Sequence, residues 1–127
     1  MMTWSKDELS NIALADDLHI SPFRDDGATY GTPTWIWSVA VDDGLYVRAY
    51  NGQISRWYRA AVRQKAGRVV AGGMTKDVTF VAVDGAAHES LQKRIDEAYG
   101  AKYGNSPYIK PMIGGKARAA TVRIIPS

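Results

Sequence analysis

Residues 34–50, with the sequence TWIWSVAVDDGLYVRAY, decide the fold class of this chain. Successive side chains of a strand point to opposite faces, and both faces of residues 34–41 are largely apolar. Such a strand is expected in a barrel or at an interface between subunits. The following DDG, residues 42–44, predicts a three-residue hairpin loop with its glycine at positive φ. The second strand, residues 45–50, is predicted to be amphipathic.

The chain on the N-terminal side of this hairpin predicts one helix and one strand. Ser5 and Glu8 have the spacing of a capping box, with Trp4 and Leu9 at the positions of a hydrophobic staple. We expect this helix to end near Asp16. The segment LHISPF, residues 18–23, predicts a short strand that its proline interrupts.

The chain on the C-terminal side predicts two more helices and three more strands. A helix capped by Ser55 and stopped by Gly67 precedes a second hairpin, formed by residues 68–83 around Gly72-Gly73. A long amphipathic helix follows, and residues 118–125 form a last strand that a proline ends. The inner side of the long helix is predicted to consist of Leu91, Ile95, Ala98 and Tyr99.

These elements predict a mainly β protein with attached helices (α+β), folded as a small antiparallel barrel. The length of 127 residues, with 46% apolar and 23% charged residues, is typical of a single globular domain spanning 1–127. No apolar run approaches the roughly 20 residues that cross a bilayer, and the N-terminus has no apolar signal region, so we expect a cytoplasmic protein without a membrane partner.

Cysteine and histidine content limits the chemistry. The chain has no cysteine, which excludes disulfides, thiolate catalysis and thiolate metal sites. His19 and His88 have no companion at metal-ligand spacing, so no metal site is predicted. The sequence contains no Ser-His-Asp order with elbow glycines, no P-loop and no GxGxxG. If the protein is an enzyme, a bound cofactor is expected to supply the difficult chemistry, and no catalytic residue can be named.

Positive charge is concentrated in residues 45–76. This window contains seven basic residues and no acid, for a charge of +7, while the rest of the chain sums to −4. Such a local field favours an anionic partner. The alternative is a solvated basic face whose members pair with acids elsewhere in the fold. The seven residues are Arg48, Arg56, Arg59, Arg63, Lys65, Arg68 and Lys76.

The helix within NGQISRWYRAAVRQKAG, residues 51–67, is the centre of that window. Three of its arginines fall on one arc: Arg56, Arg59 and Arg63. A cation in the first turn, such as Arg56, opposes the helix dipole unless an anion is bound there. The free backbone N–H groups of residues 53–57, behind a glycine turn, can form an anion site of phosphate size. The alternative is a surface helix that follows an Asn-Gly turn.

Aromatic residues form a second group. Six of them lie within 24 residues: Trp35, Trp37, Tyr46, Tyr50, Trp57 and Tyr58. They predict either the wall of a pocket that stacks a planar ring or a part of the core.

The sequence of residues 31–69 resembles the flavin-binding split-barrel superfamily, which includes the pyridoxamine-phosphate oxidase-like and deazaflavin-dependent nitroreductase-like groups. The similarity lies in a Thr-Pro strand, an acidic-glycine hairpin, a strand ending in a glycine turn, and a Trp-bearing helix with alanines after the tryptophan. The whole chain resembles an uncharacterised bacterial domain-of-unknown-function family of that superfamily. Where the deazaflavin-dependent group carries a basic glycine-rich run, this chain has Arg24 followed by two acids.

The resemblance implies a split barrel of the FMN-binding type, often dimeric, that binds FMN or a deazaflavin coenzyme. By position it implies a set of cofactor-binding residues: Thr32, Thr34, Arg48, Tyr50, Asn51, Gly52, Ser55, Arg56 and Trp57. We therefore expect a flavin- or deazaflavin-dependent oxidoreductase that reduces a small organic acceptor. The alternative is a non-enzymatic binding module that uses helix 55–66 for an anionic ligand or nucleic acid, and of these we do not expect nucleic acid. The surplus apolar face of residues 34–41 further predicts a homodimer.

Overall fold

A computed structural model of the protein describes residues 3–15, 18–83 and 88–127. In this part of the chain, seven strands form one antiparallel sheet that is nearly closed into a barrel, with five α-helices attached to it. The predicted α+β barrel is therefore confirmed. The elements in chain order are α1 (Lys6–Leu14), β1 (Leu18–Pro22), β2 (Thr34–Ile36), β3 (Ser38–Val41), β4 (Gly44–Arg48), a 3₁₀ turn (Gly52–Ile54), α2 (Arg56–Gln64), β5 (Ala66–Ala71), β6 (Met74–Val83), α3 (Glu89–Tyr103), α4 (Ile109–Met112), α5 (Gly115–Arg118) and β7 (Thr121–Pro126).

The barrel closes at Trp37, where the strand structure is interrupted between β2 and β3. The strand order is β2-β1-β5-β6-β7-β4-β3, so the two edge strands are consecutive in sequence. Thr34 pairs with Ile20 of β1, whereas Ser38 pairs with Val47 of β4. The predicted single strand 34–41 is thus two strands that leave one neighbour and join another, and this change of neighbour brings the sheet edges together.

The two apolar faces of residues 38–41 are both covered within the chain. Val39 and Val41 are buried in a core cluster that also contains Ile95 and Tyr99 of α3. Ala40, on the opposite face, packs against the main core inside the barrel. Helix α3 therefore covers the face that the sequence left without a partner.

Helix α1 confirms the predicted capping box. The Glu8 backbone N–H donates to Ser5 Oγ at 3.1 Å, and the Ser5 backbone N–H donates to Glu8 Oε1 at 3.0 Å. Trp4 and Leu9 are both buried in the main core, as expected of a hydrophobic staple. The helix ends at Leu14. Its predicted end at Asp16 lies outside the described residues.

The two hairpins differ in how well the sequence predicted them. The Gly72-Gly73 turn is confirmed, since Ala71 pairs with Met74 and both glycines have positive φ. The other loop has two residues instead of the predicted three, because Gly44 already pairs with Val41. Asp42 adopts the left-handed conformation there, with φ 54°, which aspartate tolerates better than most residues.

Gly44 and Gly67 have a packing role in place of the predicted turn roles. A Cβ on Gly44 would lie 2.8 Å from the ring of Tyr46. A Cβ on Gly67 would lie 2.6 Å from Pro22 Cα, since Gly67 is a residue of β5 paired with β1. The prediction that Gly67 stops α2 is wrong, because the helix ends at Gln64 and Lys65 takes the left-handed conformation with φ 61°.

The prediction for the C-terminal quarter is correct for α3 and incomplete beyond it. Ile95 and Tyr99 of α3 are fully buried, and Leu91 and Ala98 pack partly against the same cluster. Helices α4 and α5 were not predicted, and β7 begins at Thr121, three residues after the predicted start. The longest helix in the described ranges has 15 residues, and none there is long and apolar enough to cross a membrane.

Candidate functional site

A cleft of about 690 Å³ opens between β2, the N-terminus of α2 and the segment around α4. This volume lies within the range of about 300–1,000 Å³ that is usual for small-molecule sites. The cleft is lined by Thr34, Trp35, Ile36, Trp37, Arg48, Tyr50, Asn51, Ser55, Arg56, Trp57, Ser106, Tyr108 and Met112.

Aromatic side chains form much of the cleft wall. Trp35, Tyr50 and Tyr108 are 55%, 43% and 56% exposed, high fractions for side chains of this size. Tyr50 and Tyr108 meet edge to face across the cleft, with ring centroids 5.8 Å apart. Trp57 also lines the cleft, packs partly against the main core and contacts Tyr58 edge-on. Exposed aromatic rings gathered in one concavity are typical of sites that bind planar ligands.

The N-terminus of α2 lies at the same cleft. Ser55 is the N-cap residue, but its side chain makes no capping hydrogen bond. The first backbone N–H groups of a helix have no partner within the helix, and the helix dipole makes this end favourable for an anion. Arg56, the first helical residue, is exposed and also lines the cleft. None of the lining residues is acidic, so no carboxylate of the cleft wall neutralises the charge of Arg56.

Seven of the nine predicted cofactor-binding residues line the cleft: Thr34, Arg48, Tyr50, Asn51, Ser55, Arg56 and Trp57. The other two do not. Thr32 is exposed, and its hydroxyl accepts a hydrogen bond from Arg24 at 3.5 Å. Gly52 has φ 77°, and a Cβ there would lie 2.7 Å from Lys116 Cγ. A lysine side chain therefore occupies the space in which the sequence suggested close approach of a phosphate.

Arg48 lines the cleft but has no free donor. Its side chain is fully buried, so the prediction that β4 is amphipathic is wrong. Its five N–H groups have five acceptors, which lie on α3, α4 and β7. The acceptors are Thr121 Oγ1 at 3.1 Å, Asp96 Oδ1 at 2.5 Å, the Met112 carbonyl at 3.0 Å, the Gln92 carbonyl at 3.2 Å and Gln92 Oε1 at 2.5 Å.

Asp96 accepts from a second arginine as well. The Arg118 guanidinium forms an ion pair and three hydrogen bonds with the Asp96 carboxylate. The hydrogen bond to Asp96 raises the pKa of Arg118. Arg48 also lies 5.6 Å from the ring centroid of Tyr99, whose pKa burial raises. These contacts make the region behind the cleft a continuous polar network between the barrel and α3.

Most of the basic window is paired with groups elsewhere in the fold. Three of its cations form ion pairs with acids outside the window: Arg48 with Asp96, Arg63 with Asp25, and Lys76 with Glu8. Arg68 lies over the ring of Tyr30 at 4.0 Å. Within the described ranges, Arg56, Arg59 and Lys65 form no ion pair. The predicted arginine arc of α2 therefore has two unpaired members, and Arg56 is the one at the cleft.

The predicted aromatic group divides between cleft and core. Trp35, Trp37, Tyr50 and Trp57 line the cleft, whereas Tyr46 and Tyr58 are buried. Burial raises the pKa of Tyr58.

The sequence prediction missed the opposite wall, formed by Ser106, Tyr108 and Met112. A tyrosine directly after Ser-Pro in a polar segment was its only signal, and no periodicity linked that segment to β2 or α2.

Neither histidine lines the cleft, although His19 is the cross-strand neighbour of the cleft residue Trp35. His19 is a residue of β1, where it pairs with Trp35, and His88 is exposed before α3. Among the residues with described positions, no three His, Asp or Glu side chains are arranged to hold a metal ion.

Comparisons with known proteins identify a family and a fold. The model of a family described as "Uncharacterized protein conserved in bacteria (DUF2255)" matches residues 8–124. No curated protein matches the sequence. The crystal structure of conserved hypothetical protein Rv2991 from Mycobacterium tuberculosis superimposes with a TM-score of 0.60 and 15% sequence identity. The alignment covers 99% of this chain and 81% of that one, and at this identity it shows a common fold alone.

Proposed function

The chain belongs to the bacterial family DUF2255, and we propose that it binds a flavin-type cofactor, FMN or a deazaflavin coenzyme, in the aromatic cleft. We further propose that the loaded protein is an oxidoreductase that reduces a small organic acceptor. One observation carries the proposal: three exposed aromatic rings and the uncapped N-terminus of α2 share one cleft. The resemblance of residues 31–69 to flavin-binding split barrels supports the same reading.

The residues of the cleft fit such a group. A flavin has a flat, largely apolar ring system and a phosphate at the end of a polar chain. Trp35, Tyr50 and Tyr108 would contact the ring, because their exposed faces already form a concave wall. Arg56 and the first N–H groups of α2 would hold the phosphate. The volume of about 690 Å³ accommodates a ligand of this size.

The chemistry would belong to the bound ring, which supplies hydride transfer when present. The protein's own groups would bind and orient. The side chains that line the cleft include no His, Asp, Glu, Lys or Cys, so apart from the tyrosine hydroxyls they offer no general acid or base near neutral pH. Tyr50 and Tyr108 would position an acceptor and restrict water at the mouth of the cleft.

The loop before β2 favours FMN over the deazaflavin coenzyme. In the deazaflavin-dependent group the corresponding loop is basic and holds phosphate. Here Asp25 pairs with Arg63, and the Asp26 carboxylate accepts from the backbone N–H groups of Ala28 and Thr29. A hydrogen bond from the Thr29 side chain, together with these two backbone hydrogen bonds, lowers the pKa of Asp26 to about 2. A loop whose Asp26 carboxylate is held in the charged form is unsuited to bind phosphate.

Titration of the protein with FMN and with riboflavin tests the proposal, followed by quenching of flavin fluorescence. We expect FMN to bind more tightly than riboflavin, since only FMN carries a phosphate. Arg56→Glu should weaken FMN affinity by more than about tenfold, because an attractive charge becomes repulsive near the phosphate, and should leave riboflavin affinity nearly unchanged.

Arg59→Glu is the matched control, since Arg59 is an exposed arginine of the same helix that does not line the cleft. It should lower FMN affinity only slightly. Absence of FMN binding by the wild type would refute the proposed function. Equal losses in the two variants would place the phosphate away from the α2 N-terminus.

The alternative function is a non-enzymatic module that binds an anionic aromatic ligand in the same cleft. The lack of His, Asp, Glu, Lys and Cys side chains in the cleft wall is the observation that favours it. Reduction of the bound flavin followed by addition of quinones or nitroaromatics separates the two functions. Reoxidation by these acceptors faster than for free reduced FMN supports the enzyme, and equal rates support the binding module.

A further inference from the structure

The Arg48 network connects the barrel to the α4 wall of the cleft. Helix α4 has only four residues, Ile109–Met112, too few to be stable by itself. In the described part of the chain, the bond from Arg48 Nη1 to the Met112 carbonyl is the only side-chain hydrogen bond from the barrel to this helix. The α4 segment provides Tyr108 and Met112 to the cleft.

We infer that Arg48 is a positioning residue for the cleft, and that it fixes the α4 wall in place without contacting the ligand. An arginine has five N–H donors in a planar fork, and each of those of Arg48 has a protein acceptor. No donor remains for a phosphate or a ring oxygen. A fully buried cation whose acceptors lie on three elements instead defines the distance and orientation between those elements.

The geometry of the fork explains why the other members of the network are needed. Gln92 accepts at its backbone carbonyl and at its side-chain oxygen, which orients one arm of the guanidinium. Asp96 and the Met112 carbonyl both accept from Nη1 on the other arm. The bond to Asp96 of α3 therefore orients the same nitrogen that donates to α4. The charge of Asp96 is shared with Arg118, so replacement of Arg48 leaves this carboxylate with a cationic partner.

Hydrogen exchange in the Arg48→Lys variant tests this role. Lysine keeps the charge, but a single ammonium nitrogen with three donors cannot reach acceptors on α3, α4 and β7 together. The reporters are the amides of Ile113 and Gly114, which donate to Ile109 and Pro111 carbonyls. We expect both to exchange about tenfold faster relative to the barrel amide of Phe80, because local opening of α4 becomes easier.

Val69→Ala is the control for a general loss of stability, since Val69 is a buried core residue of β5. Because it lowers global stability, it should accelerate the barrel amide of Phe80 at least as much as the α4 amides. If Arg48→Lys also accelerates Phe80 at least as much as Ile113 and Gly114, Arg48 has only a general structural role and the inference is wrong. Should Arg48→Lys not fold, Gln92→Met loosens the fork without changing any charge, and a selective acceleration at Ile113 and Gly114 is again required.

The consequence for binding rests on the proposed function, and FMN titration of the same variants measures it. We expect Arg48→Lys to weaken FMN affinity several-fold and Val69→Ala to leave it unchanged. Failure of the wild type to bind FMN would refute the proposed function but not the positioning role, which the exchange ratio decides alone. Unchanged exchange at α4 would overturn the positioning role even if FMN binds.

Discussion

Arg48 and Arg56 show how the same residue type can have opposite roles at one cleft. Both were predicted to bind the cofactor, and both line the cleft. The side chain of Arg48 is inaccessible to solvent, and its donors are all used by protein acceptors. Arg56 is exposed at the start of α2, where its charge opposes the helix dipole. No acid neutralises the charge of Arg56 in the described structure, whereas all donors of the buried Arg48 have protein acceptors. Arg56 is therefore the better evidence for an anion site.

Glu8 provides a pH test at the residue scale. Hydrogen bonds from Lys76 and from Ser5 lower the pKa of Glu8 from 4.5 to about 2. Between these values the unfolded chain binds more protons at this position, so the stabilisation is complete above about pH 4.5 and is lost as the pH falls to about 2. Urea unfolding should therefore show Glu8→Gln less stable than the wild type at neutral pH, with a difference that closes as the pH falls through about 2.

Lys76→Gln should show the same convergence, because Lys76 Nζ lies 2.7 Å from Glu8 Oε2. A difference from the wild type that stays constant over this pH range would mean that the ion pair does not cause the shift.

At the scale of the elements, the C-cap of α2 is Lys65, whose left-handed backbone conformation is unfavourable for a residue with a side chain. Lys65 adopts φ 61° and ψ 6°, a conformation usually occupied by glycine after a helix. Its backbone N–H and carbonyl bond to Ala61 and Phe80, and these bonds do not depend on the side chain. Lys65→Gly should therefore raise the free energy of unfolding by about 0.5–1 kcal/mol. This is the backbone strain that glycine relieves, reduced by the greater conformational entropy that glycine gives the unfolded chain.

Gln64→Gly is the comparison for that change, since Gln64 is the last residue of α2 proper. It should lower stability by up to about 1 kcal/mol, because glycine is a poor helix former. Thermal unfolding of both variants measures the two effects. A loss of stability in Lys65→Gly would show that the side chain of Lys65 contributes more than its backbone strain costs.

At the scale of the whole molecule, the apolar surface that remains near β2 suggests association. Helix α3 covers Val39 and Val41, so only the Trp35 end of residues 34–41 is left for a partner. We predict a homodimer that buries Trp35 and part of the cleft mouth. Light scattering at micromolar concentration should give twice the chain mass of 13.9 kDa.

Trp35→Glu should reduce the mass to that of one chain. Leu14→Glu is the control, since Leu14 is 84% exposed and lies on α1, away from the cleft, and it should remain a dimer. If the wild-type mass stays at 13.9 kDa as the protein is concentrated, the predicted dimer is refuted. The monomer would then be stable with Trp35 exposed.

The sequence by itself determined those features that depend on neighbouring residues. The Ser5–Glu8 capping box, the Gly72-Gly73 turn and the inner side of α3 were all predicted, because each follows from the types and spacing of residues a few positions apart. The barrel class followed from the two apolar faces of residues 34–41. Seven of the nine proposed site residues also meet at one cleft, since they lie on adjoining segments of the chain.

Only the tertiary structure decided which groups meet across the chain. Arg48 is buried because α3, α4 and β7 supply acceptors, up to 73 positions away in sequence. Trp37 separates two strands because the barrel edges must join there, and Tyr108 meets Tyr50 because the segment around α4 forms a wall of the cleft. Side-chain periodicity predicts which face of an element is buried, but it carries no information about which distant element covers that face. That choice depends on packing and hydrogen bonding summed over the whole barrel.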